Sequence, residues 1–247
     1  MFSTLGIVQA CGGAPFSKAA AARKLGGKSL LEWVIRRVTD SQRLDGVLVV
    51  LPDTEEQHPL VELVPPDVPL FIGQRQDPLG LFVAALEEYP AQNVVRIRAD
   101  SPFIDPVLID RLATTGEEHP HCDYISYCSG DGRRAVMSSV GLFAEWCSAS
   151  ALRQADQEAV QPEDREHFTR YLYSRPERFN IRLIPAPAGL DREDVRLTIN
   201  SEQDWEHAQT VLDALGPEAL DWQRIAGLLD EHPALRKQMA VLNRGLC

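Results

Sequence analysis

Short apolar runs alternate with stretches of helical period along this chain, and that alternation limits its folds more than any other feature. Leu5–Ala10, Gly46–Leu51, Val68–Ile72 and Val94–Ile97 read as strands. Between them, Ser29–Thr39 carries Leu30, Leu31, Val34, Ile35 and Val38 on one side of a helix, and Leu79–Tyr89 is a second helical stretch. Strands separated by helices call for a parallel sheet covered on both faces.

The pattern continues. Pro106 sits at the first turn of a helix running through Ala113. Asp123–Tyr127, Ser139–Leu142 and Ile181–Ile184 read as strands, and Arg196–Ile199 as the last one. Ser148–Gln157, Pro162–Ser174, Glu202–Leu215 and Leu220–Glu231 read as helices, and the tail from Pro233 has helical composition. No repeat or linker-like segment interrupts the chain. Its 247 residues therefore read as a single domain with the C-terminal helices packed on it.

Charge narrows the function. A formal net charge of −11 argues against a general nucleic-acid binder, which needs a basic face. A polyphosphate ligand would need local cations or a metal to overcome the same field. Cys11, Cys122, Cys128, Cys147 and Cys247 are scattered with no paired spacing; they read as free thiols of a reducing cytoplasm. No charged segment precedes a long apolar run at the start, and no apolar stretch reaches the length of a membrane span.

In an open α/β sheet, ligands sit beyond the carboxyl ends of the strands. The loop after the first strand is Cys11-Gly12-Gly13-Ala14-Pro15. Paired glycines let backbone N–H groups approach a phosphate, or simply make a tight turn. The loop matches neither the dinucleotide nor the P-loop signature. Asp100 follows Val94–Ile97 directly. It is placed to hold Mg²⁺, which prefers oxygen ligands, or to cap a helix. Asn200 has the equivalent place after Arg196–Ile199 and offers an uncharged oxygen. Arg165-Glu166-His167 lies early in a helix, where His167 is either a ligand contact or a solvated side chain.

Four stretches together resemble the CTP-dependent cytidylyltransferases of bacterial surface-sugar biosynthesis. The similarity is to the spore coat polysaccharide type, and more distantly to the synthetases that activate acidic sugars with CMP. The stretches are Ile7-Val8-Gln9-Ala10 with Leu25-Gly26-Gly27-Lys28-Ser29 through Ile35; Val95 to Pro106 around Asp100; Arg165-Glu166-His167-Phe168-Thr169 with Tyr171 and Tyr173; and Arg196-Leu197-Thr198-Ile199-Asn200 with Glu202 and Asp204. The resemblance implies a Rossmann-like, three-layer α/β/α nucleotidyltransferase fold of the nucleotide-diphospho-sugar transferase type, with a mostly parallel sheet. It implies a reaction of CTP with a sugar to give a CMP-sugar and pyrophosphate, by in-line attack on the α-phosphate. It implies nucleotide contacts at Gln9, Ala10, Gly12, Gly13, Lys18, Lys24, Asp77, Arg98 and Ala99, with Gln74–Leu79 beside the base. Sugar contacts fall on Arg165, Glu166 and His167. Asp100 would be the catalytic metal ligand, with Asn200 as the second and Mg²⁺ as cofactor. A homodimer in the cytoplasm is the expected form.

This chain departs from that pattern at charged positions. Cys11 and Phe16 stand where the family has arginines, Ala20 where it has a lysine, and Leu81 near a further arginine. Phe143 replaces the acid of a Gly-Leu-Asp element, and Asn200 replaces the second metal-binding aspartate. A charge-assisted hydrogen bond contributes about 1.5–3 kcal/mol, so several such losses would leave little activity unless Lys18, Arg23, Lys24 or Lys28 compensates. Three readings remain: an active Mg²⁺-dependent cytidylyltransferase with a rearranged phosphate site; a weak or inactive relative that binds a nucleotide, a sugar or a protein; and a glycosyltransferase that uses a nucleotide-sugar. Pyrophosphate release, binding without turnover, and transfer from a nucleotide-sugar separate them.

Overall fold

The structure is a computed structural model that describes residues 1–10, 18–135, 138–167 and 169–244, the side chain of Lys18 excepted. Gly12, Gly13, Cys11 and Phe16 lie outside the described residues.

The described strands are β1 (Phe2–Gln9), β2 (Lys24–Leu25), β3 (Lys28–Ser29), β4 (Gly46–Pro52), β5 (Leu70–Gly73), β6 (Ala91–Arg98), β7 (Tyr124–Cys128), β8 (Glu145–Ser148) and β9 (Ile181–Pro185). The helices are α1 (Lys18–Ala22), α2 (Leu30–Thr39), α3 (Pro78–Glu88), α4 (Pro106–Glu118), α5 (Ala149–Glu158), α6 (Pro162–Glu166), α7 (Arg170–Tyr173), α8 (Glu202–Leu215), α9 (Trp222–Glu231) and α10 (Pro233–Arg244). Seven strands form one sheet in the order β5-β4-β1-β6-β8-β7-β9. All neighbours are parallel except β8, which runs antiparallel to both β6 and β7. The expected mostly parallel, three-layer nucleotidyltransferase-type fold is the one observed.

Each face of the sheet buries its own core. Val8, Val49, Leu51, Val95, Ile97 and Trp146 face α2, α4, α8 and α9. Leu5, Ile7, Leu48, Val50, Val94 and Cys147 face α3 and α5. Alternation along the strands sends neighbouring side chains to opposite faces, which is why Ile7 and Val8 on β1, and Val94 and Val95 on β6, are all buried. Helix starts are set by capping side chains: Ser29, Asp77, Asp105, Ser148, Ser201 and Asp221 each accept a backbone N–H of the first turn. Asp105 also accepts the N–H of Trp222 at 2.8 Å, so α9 is tied to the start of α4.

Three sequence expectations need correction. Ser139–Leu142 is a turn, and the strand lies later, at Glu145–Ser148. Gly141 has φ +73°, a left-handed conformation that breaks a strand, and any side chain there would meet the backbone of Leu197 and Thr198. Arg196–Ile199 forms no strand; Leu197 N–H donates to Ser139 O and Ile199 N–H to Asp100 O, each at 2.8 Å. The single helix expected over Pro162–Ser174 is two, α6 and α7, parted at His167–Thr169. The sequence reading also passed over the β2–β3 hairpin. Its two-residue turn needs positive φ at both positions, which Gly26 (+57°) and Gly27 (+85°) supply.

Gly141 gives a direct test. A β-carbon there would lie 2.8 Å from Thr198 N and 2.9 Å from Leu197 C. Gly141→Ala is expected to cost at least about 1–3 kcal/mol from backbone strain alone, read as a lowered urea midpoint. An unchanged midpoint would mean that the loop relaxes freely.

Candidate active site at the carboxyl ends of β1 and β6

Strands β1 and β6 end side by side, with Gln9 opposite Arg98. Ala99 N–H donates to Gln9 O at 3.3 Å, and Ala10 N–H to Val50 O at 3.3 Å, which fixes where the chain leaves the sheet. Asp100 follows and is 8% exposed. Its carboxylate is held by Arg98, through Nε to Oδ1 at 3.1 Å and through a second guanidinium nitrogen to Oδ2. Ser101 Oγ donates to Oδ1 as well, at 3.1 Å. The sequence reading placed Asp100 and Arg98 in one site but did not anticipate their pairing.

Asn200 is brought to Asp100 by the Ile199 N–H to Asp100 O bond, which leaves it one residue along. Its position is locked from below. Arg196 and Asp204, 3% and 1% exposed, pair through Nε–Oδ1 at 2.5 Å and a second nitrogen to Oδ2 at 2.9 Å. Asp204 Oδ2 also accepts the Asn200 N–H at 2.9 Å. Burial pushes the Asp204 carboxyl up, yet Arg196, the Asn200 N–H and Ser201 outweigh it and hold it below its usual value. Thus Arg196 and Asp204 serve the frame that presents Asn200.

Beneath Gln9 lies a polar network that the sequence reading missed. Arg96 Nε donates to Gln9 Oε1 at 2.7 Å, which fixes the amide and leaves its NH2 donors for other partners. Arg96 also reaches Glu145 Oε2 at 2.7 Å. Glu145 is fully buried and accepts from Tyr124 Oη and from Thr169 Oγ1, the latter at 3.1 and 3.2 Å. Burial, then the Glu145 charge, push the Tyr124 phenol well above its ordinary value, so it stays a donor. The signal was present in Glu145, a carboxylate inside an otherwise apolar run from Val140 to Ala149.

Other expected contacts fall elsewhere. Arg165 is engaged at 2.9 Å by Asp77 and at 2.6 Å by Asp156, and it donates to the carbonyls of Asp156 and Ala159. Asp77 meanwhile caps α3 through Gly80 N–H at 2.9 Å. The structure therefore joins the residue expected beside the base to one expected at the sugar. Glu166 and His167 are exposed, His167 at the end of α6. Asp53, at the β4 end, meets His58 at 2.6 Å and the Gln74 side chain; the His58 bond and that of Gln74 hold its carboxyl low against some desolvation. Arg23 forms a two-pronged pair with Glu202 and lies 4.1 Å over the Trp205 ring, while Lys24 is exposed on β2. Leu81 and Phe143 are core side chains, 1% and 5% exposed.

The donor chemistry at Asp100 and Asn200 suits Mg²⁺, a hard cation that commonly takes one or two protein oxygens and completes its shell with water and substrate phosphates. Among the described residues no group of three His, Cys, Asp or Glu side chains gathers to cage an ion. No helix among the described residues is long and apolar enough to cross a membrane.

Comparison with known proteins places these features. The MobA-like NTP transferase domain family matches residues 13–176. The spore coat polysaccharide biosynthesis protein SpsF of Bacillus subtilis is 25% identical over 222 residues, covering 87% of this chain and 89% of SpsF. A cytidylyltransferase from Leptospira borgpetersenii superposes with a TM-score of 0.79 at 19% identity, over 94% of this chain and 95% of that one. A CMP:2-keto-3-deoxy-manno-octonic acid synthetase solved with CTP superposes with a TM-score of 0.64 at 13% identity, over 86% and 99%. The two structural likenesses bear on the fold.

Proposed function

This chain belongs to the MobA-like NTP transferase domain family, and from that premise we propose that it is a cytidylyltransferase joining CTP to a sugar with release of pyrophosphate. The observation that carries the reading is the meeting of Gln9, Arg98, Asp100 and Asn200 where β1 and β6 end. That is the place where an open α/β sheet takes its ligand. SpsF, a polysaccharide biosynthesis protein, and the CTP-bound sugar-acid synthetase support the choice of CTP and sugar.

In this reading Gln9, fixed by Arg96, offers its amide donors to the nucleotide, and Arg98 and Lys24 supply positive charge near the phosphates. Backbone N–H groups of Gly12 and Gly13 are proposed to cradle them, with Ala10, Lys18, Asp77 and Ala99 as further nucleotide contacts. Asp100 and Asn200 would hold Mg²⁺, whose contribution when bound is to neutralise phosphate charge. Glu166 and His167, exposed at the end of α6, are proposed to meet the sugar, with Arg165 beside them holding that helix to Asp77 and Asp156. The protein's part is positioning and charge neutralisation. We place the enzyme in the cytoplasm as a homodimer.

The test is pyrophosphate release from CTP, Mg²⁺ and a panel of acidic and amino sugars. Asp100→Ala is expected to slow it by about 10²–10³-fold, the usual effect of removing one group that stabilises developing charge. No release above that variant with any of the four NTPs would overturn the proposal. One observation favours a second reading, binding without turnover: Asp100 is already neutralised by Arg98, and its neighbour Asn200 is uncharged. Calorimetric binding of CMP or a sugar, without turnover, would establish it.

A further inference from the structure

We propose that Arg98 is the resident counter-ion of Asp100, and that a divalent cation reaches this carboxylate only together with a nucleotide whose phosphates draw Arg98 away. The inference rests on the nucleotide-binding reading above and adds an order to the site's assembly.

The geometry comes first. Arg98 grips both oxygens of Asp100, one through Nε at 3.1 Å and the other through a terminal nitrogen, and Ser101 Oγ takes a further position on Oδ1 at 3.1 Å. A carboxylate has about four lone-pair positions, so little of Asp100 is left for a metal. A divalent ion entering beside the guanidinium would also meet like charge at close range. A paired Arg–carboxylate fork is among the stronger charge-assisted contacts, so it does not yield to a dilute cation without exchange.

The two partners differ in freedom. The Asp100 side chain is 9% exposed and the Arg98 side chain 34%. Asp100 is therefore fixed and Arg98 can swing. Arg98 stands at the end of β6, level with Gln9 at the end of β1, so its guanidinium is beside the point where the chain leaves the sheet. Asn200 follows Ile199, whose N–H is bonded to Asp100 O, and carries no charge. Before a nucleotide binds, the charges of Arg98 and Asp100 sum to zero. A triphosphate changes the balance: it offers Arg98 a stronger anion and brings further oxygens for the metal. Charge is conserved in the exchange, since the guanidinium passes from carboxylate to phosphate as the metal takes the carboxylate. Thermodynamic linkage makes the effect mutual, so nucleotide tightens metal and metal tightens nucleotide by the same factor.

Mn²⁺ binding to the full chain, followed by water-proton relaxation, tests this without any turnover. Wild-type protein is expected to bind Mn²⁺ at least tenfold more tightly with CTP than without. Arg98→Met, without nucleotide, is expected to gain at least tenfold over wild type, and Asp100→Asn added to it should remove the gain. Arg98→Lys, a point charge without the fork, should fall between. Matching thermal unfolding of the variants shows that the fold is retained. Equal Mn²⁺ affinity for nucleotide-free wild type and Arg98→Met overturns the proposal, as does CTP that binds without tightening Mn²⁺. If CTP does not bind at all while Arg98→Met still gains Mn²⁺, the nucleotide reading fails and the counter-ion assignment stands.

Discussion

Glu145→Ala is expected to destabilise the protein by about 3–5 kcal/mol, the usual cost of removing one partner of a buried ion pair. A domain of ordinary stability has only about 5–15 kcal/mol in total. The expectation follows from what would be left behind. Arg96 would keep its charge with its side chain 17% exposed. Tyr124 Oη and Thr169 Oγ1, both buried, would lose their acceptor. Glu145→Gln keeps the volume and an acceptor oxygen, so it should cost clearly less. Urea unfolding of the two variants measures the difference. Equal costs would mean that the charge on Glu145 is immaterial and that the site is held by shape.

Asp204→Ala should have an effect of the same order, about 3–5 kcal/mol, because Arg196 would remain buried without its partner. Here the pH dependence is informative. The folded Asp204 carboxyl is held below its ordinary value, so its contribution is complete above that value and is lost as pH falls through the lower, folded one. The stability gap between wild type and Asp204→Asn should therefore narrow as pH is taken from about 7 to about 3. A gap that stays constant over that range would contradict the pairing. Because Asp204 also holds the Asn200 N–H at 2.9 Å, the substitution should loosen the segment that carries Asn200 too.

The parts of the fold that were legible from sequence are those where one force dominates. Strand β1 and helix α2 are marked by apolar period alone, and α8 has the bounds expected, Glu202–Leu215, because Ser201 caps it and Gly216 ends it at φ +75°. The place of Asp100, just past the end of β6, was legible because the apolar run before it was. The region from Val140 to Ala149 was not, since every residue there is buried and burial on all sides leaves no period to read. Its strand was placed too early because the left-handed Gly141 cannot be told from an ordinary strand glycine. The Arg98–Asp100 pair was hidden for a different reason: whether neighbouring opposite charges pair or both face a ligand depends on side-chain direction, which residue order leaves open. The pairing of Arg165 with Asp77 and Asp156 was hidden for the same reason.

The reversed strand β8 has a consequence for how the chain must assemble. β6 finds its outer neighbour only when Glu145–Ser148 has arrived, and β7 touches the rest of the sheet only through β8. β7 is made earlier in the chain, yet it has no place to dock until the later strand has run back alongside β6. Three of the seven strands, β8, β7 and β9, are therefore joined to the rest of the sheet through β8. Until β8 pairs with it, β6 is an open edge of the kind that invites pairing between chains. A ribosome or a protease that stops short of Glu145 would leave a half-sheet with that edge bare, and the same four residues that carry the buried carboxylate are the stitch that closes it.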